Sequence, residues 1–200
     1  MSLPNVVCIK AGAKYPAEYV NRLRSMVSRH LSSPYRFVCL TDDPYGVEGE
    51  TIPLDSELQG WWHKLTLFRP DPYGMKGKIL FLDLDSVIVG SLDEMLMDVK
   101  FCIIQDFIYQ AKHNSSVFLL EAGALPHVWD RVNPHVMMRM HGDQDWITRQ
   151  VPHPQLWPAS WCLSYRLQAR AGYPRDAKVI CFHGSPKPHE CNGWVAEHWR

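Results

Sequence analysis

The stretch at residues 78–90, K-I-L-F-L-D-L-D-S-V-I-V-G, contains the strongest structural signal in this sequence. Lys78–Leu82 is a short apolar run that predicts a buried strand, and Asp83 and Asp85 follow it directly. An extended backbone places both carboxylates on one face, where they repel each other unless a cation or a proton lies between them. The pair therefore indicates a site for Mg²⁺ or Mn²⁺ shared with phosphate oxygens. Two solvated turn aspartates are the simpler alternative.

Strands and helices alternate in the sequence before this stretch. Asn5–Lys10 and Arg36–Thr41 predict buried strands, and residues 51–54 predict a third, shorter one. Apolar side chains recur at helical spacing over residues 17–31, and residues 61–69 also predict a helix. This alternation predicts an α/β fold with a mostly parallel central sheet flanked by helices. Ligands of such sheets bind beyond the carboxyl ends of the strands, where the Asp pair lies.

The sequence after this stretch is less regular, but it contains no linker or repeat that would divide the chain. Its length of 200 residues is that of one domain. The patterns predict strands at Phe101–Gln105, 117–120 and 178–182, helices at 123–140 (interrupted near Pro134) and Asp143–Gln150, and a Pro- and Trp-rich loop at 151–161.

The charge balance and the cysteines limit the partners and the compartment. Lys plus Arg and Asp plus Glu both number 21, so the chain lacks the excess positive charge on which nucleic-acid binding depends. No apolar run of about 18 residues occurs, and the apolar stretch within residues 1–10 is too short for the core of a signal peptide. The six cysteines are scattered and form no C-x-x-C pair. Four of them (Cys8, Cys39, Cys102 and Cys181) lie in apolar segments, which favours reduced, buried thiols over a disulfide framework. We therefore expect a cytoplasmic protein that neither spans a membrane nor binds nucleic acid.

A second acidic cluster, Gly142-Asp143-Gln144-Asp145, opens the predicted helix at Asp143–Gln150. An aspartate at this place can cap the helix, because its carboxylate accepts hydrogen bonds from free backbone N–H groups. A catalytic carboxylate would fit equally well, so this segment alone leaves both roles open.

The segment at residues 181–188, C-F-H-G-S-P-K-P, brings a histidine and a lysine together after a predicted strand. Imidazole is a common metal ligand, and the lysine ammonium is a compact positive charge that suits phosphate. His183 and Lys187 thus indicate a metal and phosphate site, although a structural histidine at the end of a strand is equally common.

These segments belong to a longer series of motifs. In chain order they are Lys10 and Tyr15, T-D-D at 41–43, W-H-K-L at 62–65, F-L-D-L-D-S-V-I-V-G-S-L-D-E-M at 81–95, H-N-S-S-V-F-L-L at 113–120, G-D-Q-D at 142–145 and F-H-G-S-P-K-P at 182–188. In this order the series resembles the glycogenin-like and galactosyltransferase-like retaining glycosyltransferases of the GT-A fold. The resemblance implies a single Rossmann-like domain over residues 1–200, with a nucleotide-binding half at 1–90 and an acceptor and sugar half at 91–200.

The resemblance also implies an activity. We expect metal-dependent transfer of a sugar from a nucleotide-diphosphate sugar, with a UDP-sugar as donor, to a glycan, lipid or protein acceptor. Retention of the anomeric configuration and Mn²⁺ or Mg²⁺ as cofactor follow from the same resemblance.

Roles for individual residues come from the positions that match the family motifs. Asp83, Asp85 and His183 are expected to bind the metal, and Asp143, Gln144 and Asp145 to act at the sugar. Donor binding is expected from twelve positions, of which residues 41–43 would contact the base and ribose, and Gly184 and Lys187 the diphosphate: Lys10, Tyr15, Thr41, Asp42, Asp43, Lys64, Asp83, Leu84, Asn114, Ser115, Gly184 and Lys187.

Two features depart from the family pattern. The spacing of the C-terminal motif differs, which makes His189 an alternative to His183 as the third metal ligand. The chain is also short for the family, so tryptophans could supply an acceptor surface, although core packing is the simpler role for each: Trp61, Trp62, Trp157 and Trp161.

Two other classes of protein fit part of the pattern. Residues 83–87, D-L-D-S-V, match the motif of haloacid-dehalogenase-type phosphatases, in which Asp83 would be the nucleophile and Asp85 the general acid. That motif lies near the N-terminus in such phosphatases, whereas two strand–helix units precede it here. A non-catalytic module that binds a sugar nucleotide is the other alternative.

Overall fold

A seven-stranded sheet forms the centre of the computed structural model, which describes residues 2–55 and 57–200. Its strands are β1 (Asn5–Lys10), β2 (Arg36–Thr41), β3 (Glu50–Pro53), β4 (Lys78–Leu82), β6 (Phe101–Gln105), β7 (His113–Glu121) and β8 (Gln155–Leu156), in the spatial order β3-β2-β1-β4-β7-β6-β8. A second sheet has the order β5-β10-β9 and consists of β5 (Ser86–Ile88), β9 (Cys162–Ser164) and β10 (Val179–Cys181).

Most neighbours in the central sheet are parallel. Strands β3, β2, β1 and β4 all run in one direction, and β7 runs antiparallel to both β4 and β6. This confirms the predicted α/β class. Because β1, β2 and β4 are parallel, their carboxyl ends meet at one edge, and Asp83 lies at that edge directly after β4.

The two faces of the central sheet bury two separate hydrophobic clusters. Side chains alternate across a strand, so Leu80 and Leu82 of β4 lie in one cluster, called the first, whereas Ile79 and Phe81 lie in the other, called the second. Each such side chain contributes about 1.5–3 kcal/mol when it is fully buried. The near-continuous apolar runs in the sequence therefore reflect burial on both faces.

The helices lie on both faces of this sheet. Helix α1 (Ala17–His30) buries Tyr19, Val20, Leu23, Met26 and Val27 in the first cluster, and a 3₁₀ helix at Gly60–Phe68 packs in the second. The other α-helices are α2 (His127–Asp130), α3 (Pro134–Arg139), α4 (Asp143–Gln150) and α5 (Trp194–His198).

The structure departs from the sequence expectation in several elements. The interruption predicted near Pro134 within residues 123–140 is present, because the Asn133 side chain caps α3 by accepting from the Val136 N–H and Pro134 begins that helix. The two helices are shorter than predicted, at His127–Asp130 and Pro134–Arg139. Strand β7 begins four residues before the predicted strand at 117–120. The apolar pattern missed this first half because its residues are polar. Strands β5 and β9 have three residues each and β8 has two, which is too short for a periodic signal.

Across the described part of the chain, every helix is too short or too polar to cross a bilayer. All six cysteines are free thiols, and all except Cys191 are buried.

Candidate functional site

A cavity of about 610 Å³ opens at the carboxyl-end edge of the central sheet. Its walls come from segments that are far apart in the sequence: the turn after β1, the 3₁₀ helix at Gly60–Phe68, the end of β4, the start of β7, the start of α4 and the turn after β10. Predicted site residues in these walls are Tyr15, Lys64, Asp83, Leu84, Asp85, Asn114, Ser115, Asp143, Gln144, His183, Gly184 and Lys187. The fold thus brings twelve of the predicted positions into one cavity.

Lys64 connects two of the carboxylates in this cavity. Its ammonium lies 3.0 Å from both carboxylate oxygens of Asp83 and 3.7 Å from Oδ2 of Asp143. The Ser115 hydroxyl also donates to Oδ2 of Asp143, over 2.6 Å. Because side chains i and i+3 eclipse in a 3₁₀ helix, Lys64 lies on the same face as Trp61, towards the cavity.

The pKa values of Lys64 and Asp83 are both strongly shifted. Burial by itself lowers the pKa of Lys64, but the carboxylates of Asp143 and Asp83 outweigh burial and hold that pKa above its usual value. Burial raises the pKa of Asp83 to about 6, with the attraction of Lys64 opposing it and the neighbouring Asp85 adding to it. Such opposed groups in a concave site are typical of functional sites.

Asp85 has a different set of partners. Its Oδ2 accepts from the Lys187 ammonium over 2.5 Å and from the Tyr15 hydroxyl over 2.7 Å. Burial, followed by the charge of Asp85, raises the pKa of Tyr15. Asp83 and Asp85 therefore lie side by side, each compensated by its own lysine.

A glycine in the left-handed conformation directs the chain from β10 back towards Asp85. Gly184 has a φ of +71°, a value that strongly favours glycine. The turn at this position allows Lys187, three residues later, to reach the same cavity as His183.

The His183 imidazole lines the cavity, but its Nε2 is hydrogen bonded to the Ser164 hydroxyl at 2.6 Å. The ring also stacks on Phe107, with 5.9 Å between ring centroids. Burial and the nearby Arg166 lower the pKa of His183, which favours the neutral imidazole that binds metals. The alternative ligand His189 is bonded to the Tyr19 hydroxyl and is mainly exposed.

The donor atoms in this cavity fit a hard divalent cation by their chemistry. Asp83 and Asp85 offer carboxylate oxygens, and His183 offers a neutral nitrogen. Within residues 2–55 and 57–200, however, no three His, Cys, Asp or Glu side chains are close enough to hold a metal ion. The Lys187 ammonium lies 2.5 Å from Asp85, one of the predicted metal ligands.

The other predicted donor-binding residues lie beside the cavity, at the ends of β1 and β2. The Lys10 ammonium donates to the backbone carbonyl of Asp43 over 3.0 Å, and the Gly12 N–H donates to Asp42 over 2.8 Å. The Thr41 hydroxyl also donates to the carbonyl of Asp43. These contacts shape a polar turn next to Ile9 and Ala11, which do line the cavity.

Asp145 lies apart from Asp143, although both belong to α4. Its Oδ1 accepts from the Lys112 ammonium over 3.0 Å, and it does not belong to the cavity walls formed by the described residues. Four polar side chains that received no role in the sequence analysis also line the cavity: Lys14, His63, Ser116 and His141. Lys14, His63 and Ser116 are direct neighbours of the predicted residues Tyr15, Lys64 and Ser115, so their position beside those residues was the signal that could have indicated them.

No protein-family model matches this sequence, and a search of curated proteins gave no significant match. Solved structures do match. The glycosyltransferase GlyE of Streptococcus pneumoniae TIGR4 superposes with a TM-score of 0.72 at 15% identity, over 98% of this chain and 60% of the GlyE chain. This chain thus spans about three fifths of GlyE.

Two further glycosyltransferases show the same fold. The galactosyltransferase LgtC, solved with donor and acceptor sugar analogues, has a TM-score of 0.66 at 16% identity, over 98% of this chain and 93% of LgtC. The bifunctional glycosyltransferase WbbM has a TM-score of 0.67 at 13% identity, over 94% of this chain and 47% of WbbM. At these identities the likeness shows the fold, which is the GT-A-like fold that the sequence predicted.

Proposed function

We propose that this protein is a metal-dependent glycosyltransferase that transfers a sugar, with retention, from a nucleotide-diphosphate sugar, with UDP as the expected nucleotide. The observation that carries the proposal is the convergence of Asp83, Asp85, Lys64, Asp143 and Lys187 in one cavity at the carboxyl ends of parallel strands. The GT-A-like fold of the matching glycosyltransferases supports the same reaction class.

Asp83, Asp85 and His183 would hold the divalent cation. When bound, it would supply positive charge to the diphosphate and make the nucleotide a better leaving group. The residues suit this chemistry because carboxylate and imidazole donors face one cavity, and the contact between Lys187 and Asp85 shows that a positive charge is accommodated there.

Lys187 has a second role in this proposal. Its ammonium reaches into the cavity from a turn and pairs with Asp85 over 2.5 Å. A donor diphosphate carries more negative charge than one carboxylate and would draw the ammonium onto its oxygens. Lys187 would then stabilise charge that develops on the leaving group, which is a main source of catalytic rate. Tyr15 would keep Asp85 oriented through its hydroxyl.

Asp143 and Gln144 are the proposed residues at the sugar. Lys64 and Ser115 hold the Asp143 carboxylate in place, so its position is determined by buried contacts. Retention by double displacement needs a carboxylate at the sugar face, and Asp143 would be that group. Attack on the same face as the departing diphosphate would instead leave Asp143 to orient the sugar. Gln144 lines the cavity directly after Asp143 and is the second candidate. A glutamine also belongs to the active site of LgtC, of which a glutamine-to-glutamate variant has been solved.

Asp145 is proposed here as a structural residue. Its ion pair with Lys112 joins α4 to the residue that precedes β7. It would hold α4 in the orientation that points Asp143 into the cavity.

Substitution of Asp85 tests the proposal. Asp85→Asn removes a ligand charge at similar size, so metal-stimulated hydrolysis of UDP-sugars, measured as UDP release, should fall at least about 100-fold. Asp71→Asn is the matched control, because Asp71 forms an exposed surface pair with Lys76 and contacts nothing in the cavity. Undiminished metal-stimulated hydrolysis by Asp85→Asn would refute the metal role.

Two other outcomes would point to the other classes of protein. Turnover of an aryl phosphate that disappears in Asp83→Asn would indicate a phosphatase with Asp83 as nucleophile. Tight binding of UDP without hydrolysis or transfer for any UDP-sugar would indicate a binding module.

A further inference from the structure

Trp61 is a large aromatic side chain that the fold itself does not bury. It is 54% exposed, whereas its neighbour Trp62 is 8% exposed and packs in the second hydrophobic cluster. Single exposed hydrophobic side chains are ordinary on protein surfaces. Trp61 differs from them because it lines the cavity that contains Asp83 and Asp143.

The indole of Trp61 is held next to the start of α4. A Cβ atom placed on Gly142 would lie 3.1 Å from the indole Nε1 and 3.4 Å from its Cδ1. Gly142 has an extended backbone with a φ of −176°, so this glycine supplies space for the ring rather than an unusual conformation. Since Asp143 and Gln144 follow Gly142 directly, the indole lies beside the proposed sugar residues.

Trp61 and the proposed nucleotide-base contacts belong to different elements of the fold. Residues 41–43 follow β2, which is separated from β4 by β1 in the sheet order. The 3₁₀ helix that carries Trp61 packs on α2 and α4, and α4 packs on β7, the neighbour of β4 on its other side. Trp61 itself lies against Gly142 at the start of α4, whereas His63, two residues later, lies near the Asp42 carboxylate.

We infer that Trp61 is a platform for the acceptor, and that the acceptor ends in a pyranose with an open apolar face. This inference rests on the proposed function. A pyranose has one face of C–H groups and a rim of hydroxyls. The electron-rich indole face attracts the C–H groups, and the polar residues of the cavity bond the hydroxyls. The exposure of Trp61 places the platform at the mouth of the cavity, beyond the buried Asp143 that would hold the donor sugar.

Binding of simple glycosides tests this inference. The probes are methyl β-D-galactopyranoside and methyl β-D-glucopyranoside, titrated with and without saturating UDP and MnCl₂ and followed by isothermal titration calorimetry and saturation-transfer NMR. Aromatic stacking is worth roughly tenfold in affinity, so Trp61→Ala should raise the glycoside dissociation constant about tenfold. Trp61→Phe should give an intermediate value. Met138→Ala is the control, because Met138 is 79% exposed and lies outside the cavity walls.

The outcomes separate this inference from the proposed function. The platform is supported when Trp61→Ala weakens glycoside binding more than UDP binding, and in transfer assays raises the acceptor KM more than the donor KM. It is overturned when wild type binds neither glycoside, when Trp61→Ala binds them as tightly as wild type, or when UDP binding weakens as much as glycoside binding. Failure of wild type to bind UDP would count against the proposed function, while Trp61-dependent glycoside binding measured without UDP would still support the platform.

Discussion

At the scale of single residues, the orientation of each side chain decides which carboxylates of α4 face the cavity. Asp143 and Asp145 are two residues apart on α4, which places them about 200° apart around the helix axis. Asp143 consequently faces Ser115 and Lys64, whereas Asp145 faces Lys112. The sequence G-D-Q-D offered both aspartates equally, and only the orientation of the helix separates them.

Lys64 is the residue on which the electrostatics of the cavity depend. Its side chain is 10% exposed, and it compensates the carboxylates of Asp83 and Asp143. Removal of one partner from a buried charge pair leaves the other charge uncompensated, which is strongly unfavourable. We therefore predict that Lys64→Met lowers the free energy of unfolding by about 3–5 kcal/mol, measured by urea denaturation at neutral pH.

Lys64→Arg is the matched control for this prediction. It retains the positive charge, so it should lose distinctly less stability than Lys64→Met, although the guanidinium shape does not match the ammonium site. Equal stability of Lys64→Met and wild type would show that the two carboxylates are not charged together in the folded protein.

At the scale of secondary structure, the carboxylate of Asp93 links the end of α1 to the segment that follows β5. Asp93 begins the short 3₁₀ helix at Asp93–Met95 and accepts from the backbone N–H groups of Ser32 and Ser33 just beyond α1. The hydroxyls of Ser33 and Ser91 donate to the same carboxylate. Burial opposes ionisation, but these hydrogen bonds outweigh it and hold the pKa of Asp93 well below its usual range.

This network predicts a pH-dependent contribution to stability. A depressed folded-state pKa gives stabilisation that is present above the unfolded pKa of about 3.9 and is lost as the pH falls below it. Asp93→Asn should therefore cost about 1 kcal/mol at neutral pH. The difference from wild type should shrink below about pH 4, as measured by urea denaturation across that range.

Asp98→Asn provides the comparison at a surface site. Asp98 is fully exposed and pairs only loosely with Lys78, at 3.3 Å, so its replacement should change stability little at any pH. If Asp93→Asn lowers the free energy of unfolding equally at every pH, the charge of the Asp93 carboxylate does not contribute to stability.

At the scale of the whole molecule, the cavity lies where the two sheets approach each other. The central sheet contributes Asp83 and Ser115 to it, and the turns of the small sheet contribute Asp85 and Lys187. Both sheets also share the first hydrophobic cluster. A ligand in the cavity therefore bridges both sheets and should stabilise the chain as one unit.

Thermal unfolding measures this effect. With UDP and Mn²⁺ at about 100 times the dissociation constant, binding adds about 2.7 kcal/mol. For a chain of this length the Tm should rise by roughly 5–10 °C. UMP with Mn²⁺, at the same concentration as UDP, is the matched control. It should bind more weakly and give a much smaller shift in Tm, because it lacks the second phosphate. Equal shifts for UMP and UDP would contradict recognition of the diphosphate.

The sequence by itself determined the class of fold and most of the cavity. Apolar runs predicted β1, β2, β4 and β6 at their observed bounds, because strands buried on both faces are continuous hydrophobic segments. Polar residues directly after such strands, such as Asp83 after β4, must gather at one edge when the strands are parallel. The local sequence was therefore sufficient to predict these strands and the edge of the sheet at which Asp83 lies.

Only the tertiary structure decided how the charges are paired and which aromatic ring faces the cavity. Lys64 and Asp83 are close in sequence, but Lys187 reaches Asp85 across 102 residues, through a turn whose direction depends on Gly184 and on the pairing of β10 with β5. Trp61 and Trp62 are adjacent and chemically identical, yet one lines the cavity and the other lies in the core. Contacts between distant segments set these outcomes, because helix orientation and strand pairing are collective properties of the packed chain.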